Sequence, residues 1–236
     1  MPRQFATAPK PDGRRHRADG ARSRRAILNA ATELATVEGL DGLSIGRLAE
    51  HVGMSKSGLF AHFRSKEELQ VATIDAAAEM FDREVWQPGR AAPAGVRRVL
   101  SLCEGFFSYL ERAVFPGGCF FVAAAAELDA KKGPVRDHLR EVYSRLLQEL
   151  AAVVREAQLL GEIDSTEDVA QLTFELDSLM LGANFAYVFF DDPVALERAR
   201  LAIRQRLARA APLVPARRRR ARASERPQRT RKRQSV

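Results

Sequence analysis

Residues 44–69 read SIGRLAEHVGMSKSGLFAHFRSKEEL, and their pattern is the clearest indication of the fold. Its first part carries apolar residues at the spacing of an α-helix, and Gly53 interrupts that pattern. Ser55 then stands where it can cap a second helix, which would bury Leu59 and Phe63. Two short helices that meet at a glycine turn form a helix-turn-helix, so we expect this motif here.

The second of these helices places small and basic residues on its outer face. Lys56, Ser57, Gly58 and His62 point away from the residues predicted to be buried. This is how a recognition helix presents side chains to the major groove of DNA. The alternative is that the two helices are plain scaffold, as in many helical proteins. Two caps in register and a basic segment before the first helix favour DNA binding.

The charge of the chain is concentrated at its two ends. The formal net charge is +8, but residues 1–25 hold eight basic and two acidic residues, and residues 216–236 hold ten basic and one acidic residue. The residues between them carry a net charge of −7. Such charge blocks predict disordered arms, at residues 1–21 and 213–236, around an acidic body. Any contact of that body with DNA must therefore be local.

Composition excludes several classes of protein. The chain has 236 residues, 46% of them hydrophobic, and it lacks both an apolar run that could span a membrane and a secretory signal, so we expect a cytoplasmic protein. Cys103, Cys119 and the four histidines lack the spacing of a disulfide framework or metal site, and we expect no cofactor. Glu127, Asp129 and His138 come nearest to an acid–base set, but no nucleophile accompanies them, so we expect no enzyme.

Helical periodicity continues between the two arms. A first helix is predicted at residues 22–38, and a capping box of Ser65 and Glu68 starts a long helix that ends near Trp86. Residues 87–93, rich in Pro, Gly and Ala, are predicted to break the helix. Further helices are predicted at residues 94–113, 119–130, 135–160, 166–190 and 194–210. No stretch alternates as a β-strand does, so the predicted fold class is all-α.

From Arg24 to Leu69 the sequence closely resembles the amino-terminal domain of TetR-family transcriptional regulators. The motifs that carry the resemblance are a first helix ending in Glu38-Gly39, then SIGRLAEHVGMSK from Ser44, LFAHF from Leu59 and SKEEL from Ser65. The resemblance implies an all-α homodimer with two domains. A three-helix helix-turn-helix DNA-binding domain would occupy residues 22–68, and a larger helical domain at residues 69–212 would bind an effector and dimerise.

The resemblance also implies roles for individual residues of the first domain. The DNA-contacting residues that it implies are Arg22, Arg24, Ser44, Ser55, Lys56, Ser57, Gly58, Phe60, His62, Phe63 and Lys66. Residues 56–58 would read bases, Ser44 and His62 would contact phosphates, and Lys66 would clamp the DNA backbone. The arginines before the first helix would add phosphate or minor-groove contacts. Phe60 departs from the family, where Tyr is usual, and so removes one phosphate-directed hydroxyl.

The predicted helix at residues 166–190 carries more apolar residues than one core-facing stripe requires, and the last predicted helix carries a second apolar stripe. Two such helices from each subunit would form a four-helix interface around a two-fold axis, which suits the two recognition helices that a palindromic operator demands. The alternative is that both faces fill the core of one monomer. The residues predicted to dimerise are Leu172, Leu176, Leu179, Ala183, Tyr187, Leu196, Ala199, Ile203 and Leu207.

The larger domain also combines aromatic, small and polar residues, as sites for apolar ligands do. The residues predicted to bind a ligand are Phe106, Phe107, Tyr109, Cys119, Val122, Ala123, Phe174, Asp177, Met180 and Asn184. Ordinary core packing explains any one of them equally well. Cys119 follows two glycines at a predicted helix start and is either a thiolate sensor or a buried, inert thiol.

The functional expectation is a ligand-responsive regulator. The resemblance implies a repressor that binds a pseudo-palindromic DNA operator as a homodimer. A small hydrophobic effector would bind the larger domain, tilt the long helix that starts at Lys66 and release the DNA. The alternative is an architectural nucleic-acid-binding protein whose basic arms do the binding. The two hypotheses differ in whether sequence preference survives removal of both arms.

Overall fold

The computed structural model describes residues 13–212, with side chains from residue 20 onward. Every regular element within that range is helical. The helices are α1 (Gly13–Glu38), α2 (Ile45–His51), α3 (Lys56–Phe60), α4 (Lys66–Phe81), α5 (Gln87–Arg90), α6 (Val96–Glu111), α7 (Phe120–Leu128), α8 (Pro134–Leu159), α9 (Val169–Phe189) and α10 (Val194–Arg209). A π-helical turn, Asp82–Trp86, joins α4 to α5. The all-α prediction is confirmed. Residues 1–12 of the first predicted arm and all of the second, residues 213–236, lie outside the described residues.

Serine caps begin the helices of the helix-turn-helix and the long helix after it. The Ser44 hydroxyl accepts the Arg47 backbone N–H at 3.1 Å, and the Ser55 hydroxyl accepts the N–H of Gly58 at 3.1 Å. Ser65 caps α4 in the same way, through the Glu68 N–H at 3.0 Å. These caps confirm the predicted helix starts.

The predicted capping box at α4 is formed only in part. In a capping box the Glu68 carboxylate would accept the backbone N–H of Ser65. In the structure it accepts the N–H of Arg64 instead, at 2.9 Å. The carboxylate thus reaches one residue further back and ties the preceding turn to the helix.

Two helix boundaries differ from prediction. Helix α1 begins at Gly13 rather than at residue 22, inside the segment predicted as a disordered arm. The added residues are rich in Arg and Ala, which favour helix once a downstream helix exists to propagate from. The predicted break at residues 87–93 is also wrong at its start, because α5 continues through Arg90. Pro88 lies in the first turn of α5, a position that tolerates proline.

The five remaining helices, α6 to α10, begin and end within three residues of their predicted bounds. Helix α4 is the structural link between the two parts of the fold, since it packs against α1 on one side and against α8 on the other. Helices α9 and α10 pack against each other. None of the helices described is long and apolar enough to cross a membrane.

Candidate DNA-binding surface and effector cavity

Helix α3 presents the predicted base-reading residues at the surface. Lys56 and Ser57 are exposed, Gly58 is partly buried, and the Phe60 ring is 53% exposed. Leu59, on the opposite side of the helix, is fully buried. The lysine lies across α2, where Gly46 leaves room for it, because a Cβ atom at that glycine would stand 3.2 Å from its Cε. This arrangement leaves a polar and basic outer face on a firmly packed helix.

Phe63 does not belong to this surface. Its side chain is 0% exposed, so its prediction as a DNA-contacting residue is wrong. Helical spacing places it on the same side as Leu59, inside the domain. The Arg24 guanidinium stacks on its ring, 4.9 Å from the ring centroid. Phe63 therefore positions an arginine of α1 instead of reaching DNA.

Lys66 is engaged within the chain. Its ammonium donates a hydrogen bond to the Asp41 backbone carbonyl and lies 3.4 Å from the Asp41 carboxylate. Lys131, which follows α7, donates to the same carboxylate at 2.8 Å, and Gln70 of α4 approaches it at 3.3 Å. The hydrogen bond from Lys131, together with those other groups, lowers the pKa of Asp41 to about 2. The start of α4 is thereby fastened to the loop between α1 and α2.

Glu127 of α7 completes this junction. Its carboxylate oxygens accept the backbone N–H groups of Leu40 at 2.7 Å and Asp41 at 2.9 Å. The sequence did not predict this role, although Glu127 and Lys131 stand at the i,i+4 spacing of a helical ion pair. His138 lies elsewhere and bonds Asp75 at 2.8 Å. Glu127 and His138 therefore make separate contacts and do not form an acid–base pair.

A cavity lies in the larger domain, between the end of α4 and helices α6 to α9. Its lining residues are Phe81, Val85, Trp86, Leu102, Cys103, Phe106, Cys119, Phe121, Val122, Tyr143, Leu146, Leu147, Leu150, Asp177, Met180 and Leu181. Its volume is about 50 Å³, which is room for about three or four water molecules. Trp86 and Leu146 also line an open groove on the outside, so these two side chains lie between the cavity and that groove.

Five of the ten residues predicted to bind a ligand line this cavity, namely Phe106, Cys119, Val122, Asp177 and Met180. The other five, Phe107, Tyr109, Ala123, Phe174 and Asn184, do not. Phe107 faces α10, where the Arg200 guanidinium lies 5.2 Å from its ring centroid. Phe174 points outward and is 66% exposed. The Asn184 side chain accepts the Cys119 N–H at 2.9 Å and so orients the cavity wall from behind.

Burial governs the titratable groups of the cavity. It raises the pKa of Asp177, whose carboxylate oxygens each lie 3.3 Å from the Tyr143 hydroxyl that donates to them. It also raises the pKa of Cys119 to about 11, so that the thiol stays protonated at neutral pH. Desolvation outweighs the position of Cys119 at the start of α7, which favours the inert thiol over the sensor.

The dimerisation residues are largely mispredicted. Leu172, Leu176, Ala183, Leu196, Ala199, Ile203 and Leu207 are all buried within the single chain, and Leu179 and Tyr187 are partly buried. Other apolar side chains of α9, α10 and the turn between them are exposed: Phe174, Phe185, Val188, Phe189, Phe190, Val194 and Leu201. Periodicity shows that α9 is apolar on several sides, but only the packing of α10 decides which side fills the core.

Comparison with known proteins identifies a matching family for each of the two parts of the chain. Residues 27–73 match the family described as bacterial regulatory proteins, tetR family, and residues 95–203 match the family described as tetracyclin repressor-like, C-terminal domain. A curated relative, the HTH-type transcriptional activator FasR of Mycolicibacterium smegmatis, is 29% identical over 85 residues. That match covers 36% of this chain and 39% of the relative.

Solved structures of similar fold extend over most of the chain. A TetR transcriptional regulator from Chloroflexus aurantiacus is 25% identical, with a TM-score of 0.77 over 84% of this chain and 100% of its own. A regulator from Saccharomonospora viridis in complex with choline has a TM-score of 0.63 at 20% identity, over 78% of this chain and 95% of its own. AibR in complex with isovaleryl coenzyme A and operator DNA has a TM-score of 0.60 at 22% identity, over 76% and 95%.

Proposed function

Because this chain belongs to the TetR family of bacterial transcriptional regulators, we propose that it is a homodimeric repressor that binds a pseudo-palindromic operator in the cytoplasm and leaves it when a small effector binds. Family membership makes the chain a DNA-binding regulator with a ligand-binding carboxy-terminal domain, and not an enzyme. The operator, the effector, the homodimer, the cytoplasmic location and the sign of regulation are the proposed parts.

The main support for the proposal is that α4 extends from the helix-turn-helix to the cavity. Its first residue, Lys66, follows the recognition helix closely and is fastened to the loop before α2. Its other end supplies Phe81 to the cavity, and the π-helical turn that follows supplies Val85 and Trp86. A ligand larger than the cavity's 50 Å³ must displace some of these side chains. One rigid helix thus connects the effector site to the DNA-binding surface.

Helix α7 gives a second connection between the same two sites. Phe121 and Val122, near its start, line the cavity, while Glu127, near its end, holds the backbone of Leu40 and Asp41. An effector that moves α4 or α7 changes the position of the helix-turn-helix. Release of DNA follows when the ligand binds the displaced arrangement more tightly.

The exposed apolar side chains of α9 and α10 support the dimer. Phe185, Phe189 and Phe190 form one exposed aromatic cluster, with ring centroids 5.0 to 5.6 Å apart. A contiguous patch of this kind marks an interaction surface. Pairing of two such patches around a two-fold axis would present two recognition helices to an inverted repeat.

The decisive experiment is selection of bound sequences from a random DNA pool at near-physiological salt. It uses the full chain and, in parallel, a chain without residues 1–20 and 216–236. We expect both to enrich one inverted repeat. Lys56→Ala should weaken binding to that repeat by about tenfold or more, whereas Lys132→Ala, which removes an exposed lysine of the larger domain, should not.

Three outcomes would contradict the parts of this proposal. Enrichment only when the arms are present would favour the architectural alternative. Enrichment of a single half-site would contradict the dimer. Transcription from a template that carries the selected repeat tests the sign of regulation, and stimulation instead of inhibition would make the chain an activator.

A further inference from the structure

Asp177 is the only Asp, Glu, Lys, Arg or His among the residues that line the cavity. The other fifteen lining residues are two cysteines, one methionine, one tyrosine and eleven aliphatic or aromatic hydrocarbon or indole side chains. A carboxylate in such surroundings loses the water that would otherwise solvate it. Its burial costs free energy unless hydrogen bonds or an opposite charge replace that water.

The described residues offer Asp177 few hydrogen bonds and no opposite charge in place of that water. The Tyr143 hydroxyl is the hydrogen-bond donor to Asp177, and it lies 3.3 Å from each oxygen, at the long end of the range for such bonds. Two carboxylate oxygens can accept about four hydrogen bonds. Among residues 20–212, no Lys, Arg or His forms an ion pair with this carboxylate. The site therefore has negative charge and unused acceptor capacity.

Aromatic rings form much of the wall around this carboxylate. Phe121 of α7 stacks with Tyr143, the hydrogen-bond partner of Asp177, with ring centroids 6.3 Å apart. Phe121 also meets Phe81 edge to face at 5.7 Å. Phe106 and Trp86 lie in the same wall. The faces of such rings attract cations, most strongly where water is excluded.

These observations point to one class of ligand. We propose that the cavity binds a small lipophilic cation, an amine or quaternary ammonium compound, with its charged nitrogen beside Asp177 and its hydrocarbon part against the aromatic wall. An anionic ligand would meet no basic lining residue and would be repelled by the carboxylate. The inference rests on the proposed effector role of this cavity and adds the chemical class of the effector.

Proteins that share this fold bind ligands of opposite charge. One solved structure of this fold holds choline, and another holds isovaleryl coenzyme A. The first ligand is a cation and the second carries several negative charges, so the shared fold does not determine the charge of the ligand.

Two probes of equal shape isolate the charge. Benzyltrimethylammonium has a positively charged nitrogen at its quaternary centre, where neopentylbenzene has a neutral carbon. Trp86 is the only tryptophan of the chain and lines the cavity, so its fluorescence reports binding without DNA. We expect the cationic probe to bind at least about tenfold more tightly than the neutral one, from cation–π contact and pairing with a desolvated carboxylate.

Matched variants test the role of the carboxylate. Asp177→Asn keeps the size of the side chain and should abolish the preference for the cation while keeping affinity for the neutral probe. Glu141→Gln removes one negative charge from an exposed position of α8 and should leave the preference intact. Circular dichroism and retained binding of the neutral probe show that the Asp177→Asn variant is folded.

The outcomes separate this inference from the proposed function. Equal or tighter binding of the neutral probe to the wild-type chain overturns the cation class and leaves the cavity as an effector site. A preference for the cation that survives in Asp177→Asn also overturns it. Binding of neither probe overturns the inference together with the effector role of the cavity. The comparison of the two probes on the wild-type chain stands even if the variant fails to fold.

Discussion

Asp41 and Asp177 are two carboxylates whose charges are balanced in opposite ways. Asp41, in the loop between α1 and α2, receives Lys131 at 2.8 Å, Gln70 at 3.3 Å and Lys66 at 3.4 Å. Its pKa falls to about 2, chiefly through the hydrogen bond from Lys131. Asp177 receives one phenol, and burial raises its pKa. The first carboxylate is satisfied by its own chain and the second is not.

The two environments distinguish carboxylates that hold the fold together from a carboxylate that is open to a ligand. The groups around Asp41, with Glu127, join the helix-turn-helix to α4 and α7. Their contacts already exist in the free chain, and they hold the DNA-binding part in place. Asp177 is bonded by the Tyr143 hydroxyl and by no cationic side chain of the described residues, so its burial lowers the stability of the folded chain when no ligand is bound. Three substitutions test this contrast.

The largest effect is expected for Glu127→Ala. The change leaves two backbone N–H groups without their carboxylate, and one of them belongs to Leu40, which is 0% exposed. Hydrogen bonds to a charged group contribute about 1.5 to 3 kcal/mol each before exposure to solvent is considered. We expect the free energy of unfolding to fall by about 2 kcal/mol, measured by urea denaturation, and operator affinity to fall with it.

The matched control for this substitution is Glu141→Ala, which truncates an exposed glutamate of α8. Surface changes of this kind alter stability by about 0.5 kcal/mol or less. Equal losses in the two variants would show that Glu127 is only a solvated residue of α7. The junction around Asp41 would then depend on Lys131, Gln70 and Lys66 without a contribution from Glu127.

Features that depend on a few neighbouring residues were predictable from the sequence. Ser44, Ser55 and Ser65 each cap a helix through the N–H three residues ahead, so the helix starts follow from local spacing. Burial of Leu59 follows from the same spacing. Exposure of Lys56 and Ser57 on the outer face of α3 then follows by elimination, and we propose that this face contacts DNA.

Features that depend on how helices face one another were not predictable. Phe106 and Phe107 are adjacent in sequence, but one lines the cavity and the other faces Arg200 of α10. Trp86 reaches the cavity through a π-helical turn that no residue pattern marks. Phe174 is exposed while Leu176, two residues on, is buried. In each case a distant helix decides, and a single sequence carries no record of that helix's position.

A smaller effect of opposite sign is expected for Asp177→Asn. Removal of a buried, poorly paired charge should raise the free energy of unfolding at pH 7 by about 1 kcal/mol. Because the folded pKa of Asp177 is raised, the folded chain takes up this proton before the unfolded chain does. The wild-type chain therefore gains stability relative to the variant as pH falls from 7 towards 4, and the difference should narrow.

Urea denaturation of both proteins across that pH range measures the difference. A variant that is less stable than the wild type at pH 7, with no change in the gap on acidification, would show that the chain itself satisfies Asp177. Addition of benzyltrimethylammonium at saturation should stabilise the wild type more than the variant, since the ligand binds the folded state.

The smallest effect is expected for Asp41→Asn, and its pH dependence should run the other way. The ion pairs of Asp41 are exposed, its side chain and that of Lys66 being 50% and 48% accessible, and such pairs contribute about 0.5 kcal/mol. The lowered pKa means that this contribution is complete above the unfolded value of about 4 and is lost as pH falls towards 2. Added salt at about 1 M should also reduce it, whereas the buried Asp177 should respond little. Carboxyl titration by NMR measures both groups in one experiment. Movement of the two pKa values in the same direction would break the contrast, because it would mean that solvent, and not the arrangement of neighbouring groups, sets both.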